Sequence, residues 1–144
     1  MPSARRTLPY DQSYFFTLDP SMQYRSLGNS NLKVSTLCLG TMMFGDQTDA
    51  AQAALIVQDA HANGVNYIDT ADVYTNGASE TMVGQLIKAQ RHDWVLATKL
   101  GNTMSKRPNE GHYSSSWMLR EIDASLTRLQ TDHVDITCIA TSMA

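Results

Sequence analysis

The feature that most constrains the fold is a pair of short apolar runs, each ending in charged or polar residues. Residues 65–68 give way at Asp69 to polar and turn-forming residues that extend to position 77, and residues 94–98 end at Lys99. A helical pattern separates the two runs. Such runs are typical of buried strands, and a parallel strand–helix–strand unit brings both strand ends to one edge of a sheet. The sequence therefore predicts an α/β fold in which Asp69 and Lys99 lie close together.

A carboxylate, a phenol and an ammonium at one sheet edge outline a proton-donor site. Tyr74 lies in the loop just beyond Asp69. A tyrosine donates a proton near neutral pH only where its surroundings lower a pKa that starts at about 10, and a nearby lysine does this. A buried lysine in turn needs a carboxylate partner. Each residue also has a structural explanation, with Asp69 capping a turn, Tyr74 packing on a rim and Lys99 solvated. Their combination at successive strand ends favours the proton-donor site.

The chain resembles a known family through the string Asn66-Tyr-Ile-Asp-Thr-Ala-Asp-Val-Tyr74, followed by Ser79-Glu80, Gly84 and Ala97-Thr-Lys99. These residues resemble the aldo-keto reductases, NAD(P)H-dependent carbonyl reductases built on a (β/α)8 TIM barrel. The resemblance runs from about position 22 to position 135. It implies that Asp69, Tyr74 and Lys99 are three members of a catalytic tetrad, with Tyr74 as the general acid.

The resemblance also implies a cofactor and a substrate class. The expected cofactor is NADPH, with NADH as the alternative, and the expected substrate is a small carbonyl compound. The residues expected at the cofactor are Gly40, Thr41, Met42 and Asp69. Without the resemblance, the glycine reads as part of a plain tight turn after a strand. The sequence contains no Gly-x-Gly-x-x-Gly string, so a Rossmann dinucleotide site is not predicted.

Turn and helix signals give the expected order of elements. Residues 22–27 and 32–34 flank a turn cluster and predict a β-hairpin, and residues 35–39 read as the first barrel strand. Three helices follow, the first capped by Thr48 or Asp49, the second capped by Ser79 and the third beginning at Ser115 or Ser116. The predicted buried faces of the first and third helices are Ala53, Ile56, Val57 and Ala60, and Leu119, Ile122, Leu126 and Leu129.

The length of 144 residues is short for this fold, because a complete barrel takes about 250 residues. We therefore expect the N-terminal half of a barrel over residues 22–144, preceded by an unstructured extension over residues 1–21. The family's fourth tetrad member, a histidine, falls near Ala140, and His133 lies too early to replace it. The chain alone is expected to bind the cofactor weakly or not at all and to self-associate through the open half-barrel.

Two alternatives to a reductase remain open from the sequence. One is a non-catalytic half-barrel that acts as an interaction partner. The other is an aldolase-type barrel in which Lys99 forms a Schiff base with a carbonyl substrate. The polar loop at residues 101–116 either shapes substrate choice or is simply solvated.

Composition narrows the class of protein. With 42% hydrophobic residues, 17% charged residues and a net charge of −3, the chain suits a globular domain and gives no indication of nucleic-acid binding. It has no apolar run of about 18 residues, so no membrane span is predicted. Cys38 and Cys138 stand in apolar surroundings and read as buried, reduced thiols, which favours a cytoplasmic protein. No metal site is predicted.

Overall fold

The computed structural model describes residues 21–105, 107–111 and 113–140. The extension predicted for residues 1–21 therefore lies outside the described residues, apart from Ser21. The strands are β1 (Tyr24–Ser26), β2 (Lys33–Ser35), β3 (Leu39–Gly40), β4 (Tyr67–Asp69), β5 (Val95–Leu100) and β6 (Ile136–Ile139). The helices are α1 (Ala50–Ala62), α2 (Ala78–Ile87) and α3 (Ser115–Leu129), and short 3-10 segments (Tyr74–Gly77 and Lys88–Asp93) flank α2.

The strands form two sheets. β1 and β2 pair antiparallel, with Arg25 opposite Val34, which confirms the predicted hairpin. The other four strands form one parallel sheet in the order β3-β4-β5-β6. Parallel neighbours need crossover connections, which α1, α2 and α3 supply between successive strands. The predicted α/β architecture is confirmed.

One face of the parallel sheet carries the hydrophobic core. Ile68 of β4 and Leu96 of β5 are fully buried against apolar residues of all three helices. Side chains alternate between the two faces of a strand. Asp69 and Lys99 consequently lie on the opposite face, where they remain half-buried. The core fixes the register that brings these two polar residues to the uncovered face.

Helix α1 begins and ends on the predicted signals. The Asp49 side chain accepts a hydrogen bond of 2.9 Å from the Gln52 amide, so Asp49 and not Thr48 is the cap. Gly64, with φ of +81°, reverses the chain after the helix. The prediction that Ile56 packs on the sheet is wrong, because that side chain is 40% exposed. Of the predicted face, Ala53 and Val57 are buried and Ala60 is half-buried, so the part of the helix that meets the sheet is narrower than predicted.

Helix α3 is rotated relative to the prediction. It begins at Ser115, as predicted, but Leu119 is 66% exposed. Of the predicted face, Leu129 is buried as expected and Ile122 and Leu126 are half-buried, while Trp117, Glu121 and Ser125 are buried although they were not predicted to be. The reason is its close contact with α2, where a β-carbon on Gly84 would lie 2.4 Å from the Leu129 carbonyl oxygen. This backbone approach sets which side of α3 faces inward.

The first barrel strand and the cysteines also depart from the prediction. Ser35 belongs to the hairpin, because it pairs with Tyr24 and its amide donates to Asn66 Oδ1 at 2.7 Å. The parallel strand therefore starts only at Leu39. Cys38 is exposed and Cys138 is half-buried, so the predicted pair of buried thiols is wrong. Cys138 lies beside Lys99 in the parallel register, on the face that no described helix covers.

Candidate active site

Asp69 and Lys99 meet at the carboxyl edge of the parallel sheet. Asp69 is the last residue of β4 and lies opposite Ala97, so Lys99 stands two residues further along β5. The Lys99 ammonium donates hydrogen bonds to Asp69 Oδ2 at 2.5 Å and to the Thr70 carbonyl oxygen at 3.0 Å. The structure thus brings together the two strand-end charges that the sequence singled out.

Tyr74 completes the group from a turn that crosses the end of β5. The Thr70 amide donates to the Ala97 carbonyl at 3.0 Å, and the Asp72 amide donates to the Lys99 carbonyl at 3.1 Å. This path brings the Tyr74 ring to Lys99, whose Nζ lies 5.0 Å from the ring centroid. A carboxylate, an ammonium and a phenol therefore share one half-buried edge.

The charge state of Lys99 follows from opposing effects on its pKa. Burial lowers the pKa of this ammonium, but its interactions with Asp69 and Tyr74 outweigh burial and raise the pKa above the ordinary value of 10.5. Lys99 is accordingly a stable cation near neutral pH. A Schiff-base lysine needs a neutral amine, which a lowered pKa supplies. The surroundings of Lys99 therefore argue against the aldolase-type alternative.

Ser79 stabilises the turn after β4 through side-chain hydrogen bonds. It was predicted to cap α2, but Gly77 occupies the N-cap position and Ser79 lies inside the helix, fully buried. Its hydroxyl donates to the Thr41 carbonyl at 2.8 Å and contacts the Thr70 hydroxyl at 3.2 Å. No sequence pattern indicates this role, because the partners lie on the loop after β3 and the turn after β4. These bonds tie the Asp69 strand end to its neighbour.

The residues expected at the cofactor lie at the end of β3. Gly40 stands beside Asp69 in the parallel register, and a β-carbon there would meet no atom within 4 Å. The space at Gly40, beside the Asp69–Lys99 pair, is therefore open. Thr41 is fully buried, and its hydroxyl donates inward to the Asp69 carbonyl at 3.1 Å. Met42 is 53% exposed at the rim. Their direct contact with a nicotinamide stays a prediction.

The position of the expected fourth tetrad member is occupied by Ala140. Its amide donates to the Leu100 carbonyl at 2.7 Å, and its carbonyl accepts from the Tyr113 hydroxyl at 3.1 Å. The histidines within the described residues are engaged elsewhere. His61 and His92 pair with Asp93, and His133 pairs with Asp132.

The loop between β5 and α3 forms a separate polar cleft. The cleft has a volume of about 450 Å³ and is lined by Thr103, Ser105, Arg107, Pro108, Asn109, Glu110, Gly111 and Ser114. The Ser105 hydroxyl donates to the Glu110 carboxylate at 2.7 Å, which orders part of the loop. A role of this loop in substrate choice stays a prediction.

Other site classes find no support in the part of the chain that the structure describes. No group of three or more histidine, cysteine or carboxylate side chains there is arranged to hold a metal ion. None of the described helices is long and apolar enough to cross a membrane.

Comparison with known proteins identifies the family to which the chain belongs. The sequence model of the aldo/keto reductase family matches residues 36–142. The chain is 42% identical over 118 residues to the uncharacterized oxidoreductase YqkF of Bacillus subtilis, covering 80% of this chain and 38% of that protein. It is 41% identical over 119 residues to a probable voltage-gated potassium channel subunit beta of Arabidopsis thaliana, covering 80% of this chain and 36% of that one.

Solved structures give the same class. The aldo-keto reductase AKR11C1 of Bacillus halodurans, in its holo form, superposes with a TM-score of 0.72 at 40% identity, over 82% of this chain and 40% of that one. A putative aldo-keto reductase of Pseudomonas aeruginosa has a TM-score of 0.74 at 34% identity, over 83% of this chain and 47% of that one. The chain belongs to the aldo/keto reductase family, and its sheet and helices correspond to half of a TIM barrel. It spans less than half the length of these relatives.

Proposed function

We propose that this protein takes part in the NADPH-dependent reduction of aldehydes or ketones to alcohols, with Tyr74 as the proton donor. The observation that carries the proposal is the position of Lys99, whose ammonium is bound to Asp69 at 2.5 Å and lies 5.0 Å from the Tyr74 ring centroid. Membership of an oxidoreductase family supports the reaction class. NADH is the alternative cofactor.

The chain's residues supply the proton and hold the charges that its transfer requires. Tyr74 gives its hydroxyl proton to the carbonyl oxygen of the substrate as negative charge develops there. The Lys99 ammonium stabilises the phenolate that is left, and Asp69 keeps Lys99 in place and balances its charge. A bound reduced nicotinamide would supply the hydride to the carbonyl carbon. The carbonyl thus gains one hydride and one proton and becomes an alcohol.

Self-association is a further part of the proposal. β6 is the last strand of the described sheet, and Ile139 on it is 58% exposed. An unpaired strand edge with exposed apolar side chains favours pairing with another chain. We therefore expect the assembled protein to bind the cofactor more tightly than the monomer. The alternative of a non-catalytic interaction partner predicts assembly without any turnover.

The test is a fluorescence titration with NADPH and an NADPH-oxidation assay with an aromatic aldehyde, performed on each fraction from size-exclusion chromatography. Parent protein, Tyr74→Phe and Tyr24→Phe are compared; Tyr24 is a matched control because its hydroxyl bonds to the Gly64 carbonyl on the hairpin side. We expect saturable binding in the assembled fraction and aldehyde-dependent oxidation that Tyr74→Phe abolishes and Tyr24→Phe retains. Oxidation that survives Tyr74→Phe would rule out the assigned proton donor. Absence of binding in every fraction would rule out the function.

A further inference from the structure

A buried ion pair lies beneath the turn that carries Tyr74. Glu80 of α2 is fully buried and accepts two hydrogen bonds of 2.6 Å, one from the Thr98 hydroxyl and one from Arg128 Nε. Such charge-assisted bonds are among the strongest in proteins. Thr98 directly precedes Lys99 in β5, and Arg128 belongs to α3. The pair therefore joins both helices to the strand that presents the lysine.

Arg128 also packs against the backbone of the turn. A β-carbon on Gly77 would lie 2.8 Å from Arg128 Cδ and 3.2 Å from Arg128 Nε. Gly77 has a φ of +89°, and the two residues before it, Thr75 and Asn76, have φ of +47° and +57°. Asparagine tolerates this region, but a β-branched residue such as Thr75 rarely adopts it without support from its surroundings. The side chain of Arg128 supplies part of those surroundings.

The turn transmits this constraint to Tyr74 through the backbone. The Ala78 amide donates to the carbonyl oxygens of Tyr74 and Thr75, so the first residue of α2 is bonded back onto the tyrosine. Tyr74 itself is anchored at its other side, where its amide donates to the Ala71 carbonyl at 3.2 Å. These bonds connect Tyr74 to the start of α2, next to the Gly77 position that Arg128 contacts.

We propose that Arg128 is a positioning residue for Tyr74: held by Glu80, it supports the left-handed turn and thereby sets the distance between the phenol and the Lys99 ammonium. The catalytic meaning of this distance rests on the proposed function. The positional statement does not, because it concerns only the geometry of the turn.

Two further carboxyl groups, Asp72 and Glu121, interact with Arg128 and are kept unchanged in every variant of the test. Asp72 is almost fully buried, and its Oδ2 has no hydrogen-bond partner among the described residues. Glu121 Oε2 lies 3.9 Å from the Arg128 guanidinium. Removal of Arg128 alone would leave the buried Glu80 carboxylate uncompensated, which destabilises the whole fold. A double substitution that also neutralises Glu80 avoids this effect.

The experiment compares Arg128→Met, the double variant Glu80→Gln/Arg128→Met, and Arg120→Met. Arg120 is the matched control because it lies on the same helix, is exposed, and stacks on Trp117 at 5.3 Å rather than on the turn. Each protein is labelled with ¹³C at the tyrosine ring carbon bonded to oxygen, and the Tyr74 signal is assigned with Tyr74→Phe. The chemical shift reports the surroundings of the phenol, and thermal unfolding reports stability.

We expect Arg128→Met to be less stable than the parent and the double variant to recover much of that stability. In the double variant the Tyr74 signal should remain shifted, while the Tyr24 signal is unchanged. A merely structural role predicts a Tyr74 signal that recovers together with stability, and that result would overturn the proposal. If the parent is active, the double variant should lose about 10-fold to 100-fold in kcat with little change in the KM for the cofactor. An inactive parent would count against the proposed function, and the tyrosine signal would still decide the role of Arg128.

Discussion

Lys99 donates a hydrogen bond of 2.5 Å to Asp69 from the neighbouring strand, although 30 positions separate the two residues in the chain. The side chains are 21% and 33% exposed, so water screens their attraction. An ion pair in such a position contributes little to stability, about 1 kcal/mol or less. Its main effect is local, because it fixes a positive charge next to Tyr74. Substitutions at the pair should therefore affect the chemistry more than the fold.

Asp69→Asn should separate these two effects. The amide keeps the shape of the carboxylate but removes its charge, so the pKa of Lys99 should fall, since Asp69 is one of the groups that raise it. We expect kcat to fall by about 100-fold or more and the free energy of unfolding at pH 7 to change by less than about 1 kcal/mol. The raised pKa of Lys99 stabilises the folded state, and this contribution is fully present at pH values below the ordinary pKa of 10.5. The parent should therefore lose stability as the pH rises through the pKa of Lys99 in the folded state. The variant should lose less stability over the same pH range.

The measurement is NADPH oxidation together with urea denaturation at neutral and alkaline pH. Asp46→Asn is the control, because this exposed carboxylate lies on the loop after β3, away from Lys99. Full activity in Asp69→Asn would contradict the assigned role of the pair.

The sequence predicts that Asp69 and Lys99 lie close together, but it does not predict the contacts that hold the surrounding turn and helices in place. Asp69 and Lys99 could be placed together because parallel strands expose their ends at one edge, a rule that needs only the order of strands and helices. Ser79 was misread because a serine near a helix start normally caps it, whereas its real partners come from two other loops. The Glu80–Arg128 pair was not predicted because it depends on the rotation of α3, 48 positions away. Contacts that depend on how helices pack together or on how separate loops meet do not follow from the order of strands and helices.

Asp72 should make stability depend on pH. Burial raises the pKa of this carboxyl to about 6, with the nearby Glu80 and Glu121 adding to the shift, although the backbone amide of Val73 and the Arg128 cation oppose it. The raised pKa means that the folded state prefers the protonated acid. Its contribution to stability is fully present below the ordinary pKa of 3.8 and is lost as pH rises through about 6.

Asp72→Asn removes this titration. We expect the variant to gain stability relative to the parent as pH rises from about 4 to about 7, by roughly 2 kcal/mol at neutral pH. Urea denaturation at a series of pH values gives the difference. The exposed Asp123→Asn on α3 controls for the change in net charge. A difference between variant and parent that stays constant over this pH range would show that Asp72 does not titrate there.

A pair of glycine substitutions should distinguish packing of the fold from access to the site. A β-carbon on Gly84 would lie 2.4 Å from the Leu129 carbonyl oxygen, which is backbone and cannot rotate away. Gly84→Ala should therefore lower the free energy of unfolding by roughly 3 kcal/mol. A β-carbon on Gly40 would meet nothing within 4 Å, so Gly40→Ala should leave stability nearly unchanged.

Cofactor binding should rank the two variants in the opposite order from stability, with Gly40→Ala the more impaired. The open space at Gly40 is where we expect the nicotinamide, so a methyl group there should weaken NADPH binding in the fluorescence titration. If Gly40→Ala binds NADPH as tightly as the parent, the cofactor does not approach this strand end. Unchanged thermal unfolding of Gly84→Ala would contradict the close approach of α2 and α3.

Cys38 offers a test of the site's electrostatics that needs neither cofactor nor substrate. Its thiol is accessible, yet burial of part of the group and the nearby Asp69 carboxylate raise its pKa to about 11, against a smaller lowering by Lys99. Only the thiolate reacts with alkylating agents. In a Cys138→Ser background, iodoacetamide should therefore modify the folded protein slowly at pH 8, and the rate should climb as pH approaches 11. In urea, the same thiol should react faster at pH 8, as expected for an ordinary pKa of 9.0.

Adding Lys99→Met should slow the reaction of the folded protein further, because it removes a cation that lowers the pKa of the thiol. Adding Asp69→Asn should speed it, because the carboxylate that opposes thiolate formation is gone. Equal rates in all three folded proteins would show that Cys38 does not sense the Asp69–Lys99 pair, and would place the thiol away from the face that carries the candidate site.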